Sequence, residues 1–463
     1  MSEPCEVIIV GGGIAGLATA YELQRLGIGF RILERSARAG GVIFTEKIGG
    51  FTFDAGPDAL LIQKPAAITL CKELGLGDRL FPTSLPRAAY ILKKGTLHPL
   101  PESSMLGIPR NVGALAATRL FSLAGKARMA AELFVPRRTD GADESIASFI
   151  GRRFGREAVT YLAEPLLAGI HAGDVDRLSM RALFPRFLDA ERKYGSVLRA
   201  FRQVRQPRSR NGAFMSLPGG LEEIVDALLG VLTRDAIVLN AGVRSVERRD
   251  RYEVTLDSGD RLSASAVAVC APTFVASDIL RPIDGELAFL CGRIPYASSA
   301  TVTFAFRRGD VAHPLHGAGF VIPRVENTLI MAGSWISSKW RDRAPEGHVL
   351  LRAFVGGARD PEAVRRSDED LIATSLAEMV RLHGITGEPL FAKLHRWERA
   401  NAQHNVGHLD IMAAIERRLA ALPGLYVTGS GFRGVGVPDC VADARKTATD
   451  IAAWTGSNRS ERV

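Results

Sequence analysis

A chain of 463 residues exceeds what one simple core serves, and roughly 150 residues per domain points to two or three domains. With 46% hydrophobic and 24% charged residues, and 47 glycines that cluster without a repeat, the composition excludes a disordered or fibrous protein. The net charge of +9 favours an acidic ligand, an anionic membrane surface or nucleic acid, while five scattered cysteines without a C-x-x-C pair indicate neither a disulfide framework nor a zinc site.

The chain opens on a strand-like run, Val7-Ile8-Ile9-Val10, with no basic leader or cleavage site. No apolar stretch reaches the roughly 18 residues of a membrane span, so a cytoplasmic protein is expected that can lie on a bilayer without crossing it. Residues 6–10 lead into Gly11-Gly12-Gly13-Ile14-Ala15-Gly16 and then a helical pattern through Leu17, Ala20, Leu23 and Leu26. In such a strand, turn and helix Gly11 permits the tight turn, Gly13 lets backbone approach a pyrophosphate, and Gly16 lets helix and strand pack closely. A second strand, Phe30-Arg31-Ile32-Leu33, ends in Glu34, where an acid binds both hydroxyls of an adenosine ribose. To this point FAD and NAD both remain open. The next residues, Arg35-Ser36-Ala37-Arg38-Ala39-Gly40-Gly41, resemble the extended fingerprint of the FAD proteins that include amine oxidases and protoporphyrinogen oxidases, and imply FAD.

Further along, Arg110, Arg119, Lys126, Arg128, Arg137 and Arg138 punctuate a mostly apolar stretch, which suits either a membrane-resting segment or an ordinary helical domain with a solvated basic face. Residues 145–210 read as helical, and residues 192–210 as a basic helix ending before Pro207. A third piece of the nucleotide domain starts at Phe214-Met215-Ser216-Leu217-Pro218-Gly219-Gly220-Leu221, followed by a helix through Ile224 and Leu228. A meander over residues 243–246, 252–256 and 261–264 precedes a buried run at 266–270. Residues 294–390 return to strands, notably 300–306, 319–322, 328–332 and 349–355. Finally Leu425-Tyr426-Val427-Thr428-Gly429 reads as a strand, and Gly434-Val435-Gly436-Val437-Pro438-Asp439-Cys440 as a second glycine turn before a helix through Val441, Ala444 and Ala448. Residues 456–463 read as a frayed tail.

More specific is the stretch Asp143-Glu144-Ser145-Ile146-Ala147-Ser148-Phe149-Ile150-Gly151-Arg152-Arg153-Phe154-Gly155, continued by Glu164-Pro165-Leu166-Leu167-Ala168-Gly169-Ile170-His171-Ala172-Gly173-Asp174 and Glu191. It is similar to oxygen-dependent protoporphyrinogen oxidases, and further matches at Gly319-Phe320-Val321-Ile322-Pro323, Phe354-Val355-Gly356-Gly357, Trp397 and Gly407-His408 extend the resemblance over nearly the whole chain.

That resemblance implies a mixed α/β and α+β protein. A Rossmann-like, p-hydroxybenzoate-hydroxylase-like FAD domain would comprise residues 1–86, 212–275 and 395–463. A mixed-sheet substrate domain would comprise 87–95, 181–211 and 276–394, and a helical, membrane-associated domain 96–180. The implied reaction takes six hydrogens from protoporphyrinogen IX in two-electron steps, with hydride passing to noncovalent FAD and oxygen taking the electrons. Coproporphyrinogen III is the alternative substrate. Carried over by position, the Gly169 backbone lies beside the reacting macrocycle, Phe354 and Val321 line it, and Gly333 takes a third such position. Beside Gly11 to Gly16, Glu34, Arg35 and Gly41, the implied cofactor contacts are Val42, Gly56, Pro57, Asp58, Ala59, Val243, Trp397, Val435, Gly436, Val437, Pro438, Asp439 and Cys440. No metal and no nucleic acid is implied, and an anionic membrane surface and a homodimer are both compatible as partners.

One departure bears on the substrate. Many relatives carry an arginine for a substrate propionate where this chain has Ala89, and Arg87, two residues earlier, is the expected substitute if it lies on the same strand face. Amine oxidases commonly hold flavin through a cysteine near the final turn, where this chain reads Ser430-Gly431-Phe432.

Overall fold

The computed structural model describes residues 5–100, 104–105, 108–109, 112–203 and 212–460. Strand Cys5–Val10, apolar throughout its buried half, forms the centre of a seven-stranded sheet. Phe30–Leu33 and then Ile237–Val238 lie parallel on one side of it, and Arg261–Val269 on the other. That last strand unites the expected meander strand at 261–264 with the buried run at 266–270. Its first half pairs antiparallel with Tyr252–Leu256, and its second half pairs in parallel with Leu425–Val427. Helices Ile14–Arg25, Ala66–Glu73, Glu222–Val231 and Val437–Ser460 bury their apolar sides on one face of the sheet. Thr273–Leu280, Gly285–Gly292 and His408–Ala420 cover the other. The helix Val437–Ser460 continues through most of the tail that was expected to fray.

A second seven-stranded sheet has the order Phe391–Ala402, Tyr296–Arg307, His348–Gly356, Ile330–Trp335, Gly319–Val321, Ala89–Lys93 and Thr96–Pro99. All pairs are antiparallel except Gly319–Val321 with Ala89–Lys93. Within residues 294–390, read as strands, the structure also has a 16-residue helix, Asp368–His383. Its signals are in the sequence: Ser367 accepts from the Asp370 N–H, three acids follow in the first turn, and Gly384 closes the helix in the left-handed region at φ 59°.

The helical region packs Phe149, Phe154, Leu162, Leu167 and Phe187 into a separate core. The expected basic helix is broken: Pro185–Tyr194 stops at Gly195, φ 69°, and Val197–Gln203 starts afresh. The segment approaching Pro207 and the position Arg110 lie outside the described residues. Much of the motif that carried the family resemblance holds this core together. Arg152 bridges Glu144 and Glu191 at 2.6 Å each, and fully buried Arg153 pairs with Glu132. Among the described residues, no helix is long and apolar enough to cross a membrane.

Candidate functional site

The first glycine turn is dictated by contacts that leave no room for a side chain. Gly11 has φ +105°, and a Cβ on Gly16 would lie 1.9 Å from the Gly11 carbonyl oxygen. A Cβ on Gly13, by contrast, would meet nothing within 4 Å, so the turn is open at this residue. Gly13 has no side chain to cap helix Ile14–Arg25, which leaves the leading N–H groups around Ile14, Ala15 and Gly16 for an anionic ligand. The Glu34 carboxylate accepts from the Gly12 N–H at 2.7 Å and the Ser36 N–H at 2.8 Å, which fixes it beside the turn. Residues 240–241 hydrogen-bond to Ser36 and Glu34, bringing Val243 and the exposed Arg35 to the same side.

A second backbone segment closes on this opening. Gly40 donates to the Gly12 carbonyl at 2.8 Å, and Arg38 binds the Ala39, Gly41 and Ile43 carbonyls. A Cβ on Gly41 would lie 3.3 Å from the Gly13 Cα, and one on Gly56 would lie 2.0 Å from the Val42 carbonyl oxygen and 3.7 Å from the Trp397 ring. Trp397 donates its indole N–H to the Ala55 carbonyl at 3.0 Å. Gly13, Gly41, Val42, Gly56 and Trp397 therefore follow one another by contact, with Val42 41% exposed. Asp58, between Pro57 and Ala59, spends its carboxylate otherwise: one oxygen accepts from Lys339 at 2.8 Å and Trp340 at 3.2 Å and pairs with Arg352 at 3.1 Å. Burial alone would raise its pKa, but Lys339 and Arg352 hold it well below the usual carboxylate range.

The second glycine turn reaches the first through Gly429, whose Cβ position lies 3.9 Å from the Ala15 Cβ. After Val435, Asp439 accepts from the Gly436 N–H at 3.2 Å and pairs with Lys64 at 2.7 Å, with Val437 and Pro438 between them opening the long helix. The Cys440 thiol is pushed up to about 12 by burial and the acids beside it, so it is a neutral packing group. Two imidazoles support this loop. His404 contacts the Ser430 carbonyl oxygen at 3.1 Å and His408 the Phe432 carbonyl oxygen at 2.8 Å, with the rings stacked 3.8 Å apart. Burial, reinforced by His408, pushes His404 down to about 3, and burial also lowers His408.

Gly169 lies in helix Glu164–His171 with no left-handed backbone, so nothing in its conformation demands glycine. Its surroundings do: a Cβ would sit 3.0 Å from the Val321 Cγ1 and 3.6 Å from the Ala332 Cβ. Strand register places Val321 opposite Ala332 and Ala332 opposite Phe354, so Val321, Ala332 and Phe354 share one sheet face against Gly169. Gly169, Val321 and Phe354 are half-buried, as a ligand-facing surface would be. Gly333 is a correction. Alternation turns it to the opposite face, where a Cβ would lie 2.4 Å from the Phe320 ring inside the core, and Ala332 holds the place expected for it. Arg87 is a second correction: it precedes the strand Ala89–Lys93, its Nε donates to the Thr83 carbonyl at 3.0 Å, and its stem lies against Gly212.

His171, at the end of the Gly169 helix, is pushed down to about 4 by burial and by Lys64, with Asp439 opposing. Lys64, Ala332 and Arg352 escape a sequence reading. Lys64 stands alone in a loop, Ala332 depends on register, and only Arg352, a charge inside the apolar run of residues 349–355, carries a local signal.

A family model described as flavin containing amine oxidoreductase matches residues 14–452. The chain is similar to the coproporphyrinogen III oxidase of Bacillus subtilis, at 36% identity over 97% of this chain and 98% of that one. It is similar to that of Mycobacterium tuberculosis, at 33% identity over 97% of each. A solved structure of a provisionally assigned protoporphyrinogen oxidase from Exiguobacterium sp. 255-15 superposes with a TM-score of 0.87 at 34% identity, over 98% of this chain and 99% of that one.

Proposed function

The chain belongs to the flavin containing amine oxidoreductase family, and from that premise we propose that it is an FAD-dependent porphyrinogen oxidase of haem synthesis. Its cofactor is FAD. The residues fit that group: the turn is open at Gly13, the leading N–H groups of the following helix are uncapped, and Glu34 is fixed where a ribose would lie. When bound, FAD supplies a two-electron acceptor. Among substrates, coproporphyrinogen III is favoured over protoporphyrinogen IX, reversing the order expected from sequence, because the curated relatives at 33% and 36% identity carry that name, although the Exiguobacterium protein at 34% carries the other.

The observation that carries the reading is the apolar sheet face on which half-buried Val321 and Phe354 flank buried Ala332 against Gly169. A porphyrinogen meso carbon gives up hydride because aromatisation of the macrocycle drives it, so the protein's share is orientation and exclusion of water. Gly169 packs directly against Val321 and Ala332, and the accessible parts of Gly169, Val321 and Phe354 offer a flat ring an apolar wall without a competing proton donor. The exposed Leu123 and Phe134, 85% and 83% accessible beside Lys126, Arg137 and Arg138, support a membrane-resting role for the helical region.

Initial rates of porphyrin formation and peroxide release on the two porphyrinogens test the proposal. Turnover of coproporphyrinogen III at least several times faster than protoporphyrinogen IX is expected. The opposite ratio reverses the substrate assignment, and no porphyrin from either, with FAD bound, overturns the function.

A further inference from the structure

Three side chains of the second sheet, Trp397, Thr301 and Arg352, take the backbone carbonyls of the loop of residues 54–58. Trp397 donates to the Ala55 carbonyl at 3.0 Å, and Thr301 Oγ1 donates to the same oxygen at 3.2 Å. Arg352 donates from Nη1 to the carbonyls on either side, Asp54 and, at 3.2 Å, Gly56, while its Nη2 pairs with Asp58 at 3.1 Å. Three successive carbonyls and one carboxylate are thus gripped from one direction. On the other side the loop rests on the Val42 carbonyl, which leaves Gly56 no space to retreat.

Arg352 is only 2% exposed and stands on the strand His348–Gly356 two residues before Phe354. The two side chains share a face, with the guanidinium carbon 4.6 Å from the centre of the Phe354 ring. One planar group therefore touches both the loop that contacts the flavin and the ring that lines the substrate face. The fork geometry matters. Arg352 serves three acceptors at once, which the single ammonium of a lysine cannot do.

We propose that Arg352 is a positioning residue for flavin reduction, which fixes the loop of residues 54–58 relative to Phe354 and so sets the separation between flavin and substrate. The proposal rests on the porphyrinogen oxidase reading for its substrate, and on residues 56–59 as flavin contacts. Hydride transfer needs its atoms about 3 to 3.5 Å apart, and an error of about 1 Å costs on the order of a hundredfold. A loop released from this grip need not let the cofactor go, because the phosphates are held elsewhere, at the first glycine turn.

The test is the Arg352→Lys holoenzyme, which keeps the charge facing Asp58. Its FAD affinity is expected within about threefold of wild type, and its substrate affinity likewise. Anaerobic single-turnover reduction by coproporphyrinogen III at saturation is expected to slow by about ten- to a hundredfold. The visible absorption band of its bound flavin is expected to shift. Wild-type reduction rate in a folded, FAD-loaded variant overturns the proposal. If Arg352→Lys loses FAD or fails to fold, Thr301→Val decides, since it removes one hydrogen bond of the same grip with little change in volume. A several-fold slower reduction supports the clamp and an unchanged rate overturns it. Should wild-type enzyme reduce its flavin with neither porphyrinogen, the functional reading falls by itself. The flavin band of Arg352→Lys then still decides the clamp: shifted supports it, unshifted overturns it.

Discussion

The first glycine turn and the sheet face packed against Gly169 both need a closer approach than a Cβ permits, and they meet the need differently. At the turn the obstacle is backbone: the Cβ position of Gly16 is 1.9 Å from the Gly11 carbonyl oxygen, and both atoms belong to one tightly wound segment. At the sheet the obstacle is a side chain, with the Cβ position of Gly169 3.0 Å from a Val321 methyl group on a distant element. Backbone cannot step aside without refolding the turn, whereas a valine can rotate. Glycine is therefore demanded by backbone in the first region and by an adjustable side chain in the second.

The sharpest way to break this comparison is at the turn. Gly16→Ala is expected to abolish FAD retention and to lower the thermal midpoint by well over the few degrees of an ordinary core change, since overpacking costs about 1–3 kcal/mol even where neighbours can move. Gly13→Ala, whose Cβ would meet nothing, is expected to fold normally and lose FAD affinity alone. Bound flavin absorbance and the thermal midpoint separate the two. A yellow Gly16→Ala protein that melts like wild type contradicts the backbone account.

At the sheet, Gly169→Leu is expected to stay yellow and folded while porphyrinogen oxidation falls about a hundredfold or more, by displacement of the ring from its reacting distance. Because Gly169 is helical, the change also removes a glycine that is about 0.5–1 kcal/mol worse than alanine in a helix, which offsets part of the overpacking against Val321, so the thermal midpoint is measured beside the rate. A normal turnover rate would leave the Gly169 face without a substrate.

The difference between the regions also explains what could be read from residues alone. Gly11, Gly13, Gly16 and Glu34 are set by contacts within one strand, turn and helix, and the structure brings them together as their spacing implies. The same local logic located Glu222–Val231 and Leu425–Val427. The sheet face depends on register between strands far apart in sequence, where a slip of one residue exchanges the faces. Hence Gly333 was assigned to the surface that Ala332 occupies, and Arg87 to a strand that begins only at Ala89. The helix Asp368–His383 was hidden by the apolar strands around it although its caps were in plain view.

Acid sharpens the comparison from another side, because histidines gather at the junction with the second glycine turn and not at the first. His171 is pushed down to about 4 and His404 to about 3, both chiefly by burial. Their folded-state pKa values lie below the unfolded value of about 6.5, so the unfolded chain binds more protons between these limits. Stability is present above about pH 6.5 and is lost as pH falls toward 4 and 3. The thermal midpoint is expected to decline over that window, and His404→Gln, which keeps an N–H donor for the Ser430 carbonyl but does not titrate, is expected to decline less steeply. Parallel curves would remove His404 from the acid response.

The smallest effect on activity is expected at Gly333, and it decides which face of the second sheet meets the substrate. A Cβ there would lie 2.4 Å from two ring carbons of Phe320, which is packed in the core with Trp335 and Ile322. Gly333→Ala must turn that ring or shift the strand, at a cost of about 1–3 kcal/mol. For a protein of this size the thermal midpoint should fall by a few degrees. The opposite face, with Ala332, Val321 and Phe354, keeps its side chains, so the rate of flavin reduction by porphyrinogen should stay within about threefold of wild type. Ala332→Leu is the mirror experiment: the added side chain points at Gly169, so the rate should collapse while FAD stays bound. If instead Gly333→Ala loses activity at unchanged stability and Ala332→Leu keeps it, the substrate lies on the Phe320 face and the assignment of the two faces is inverted.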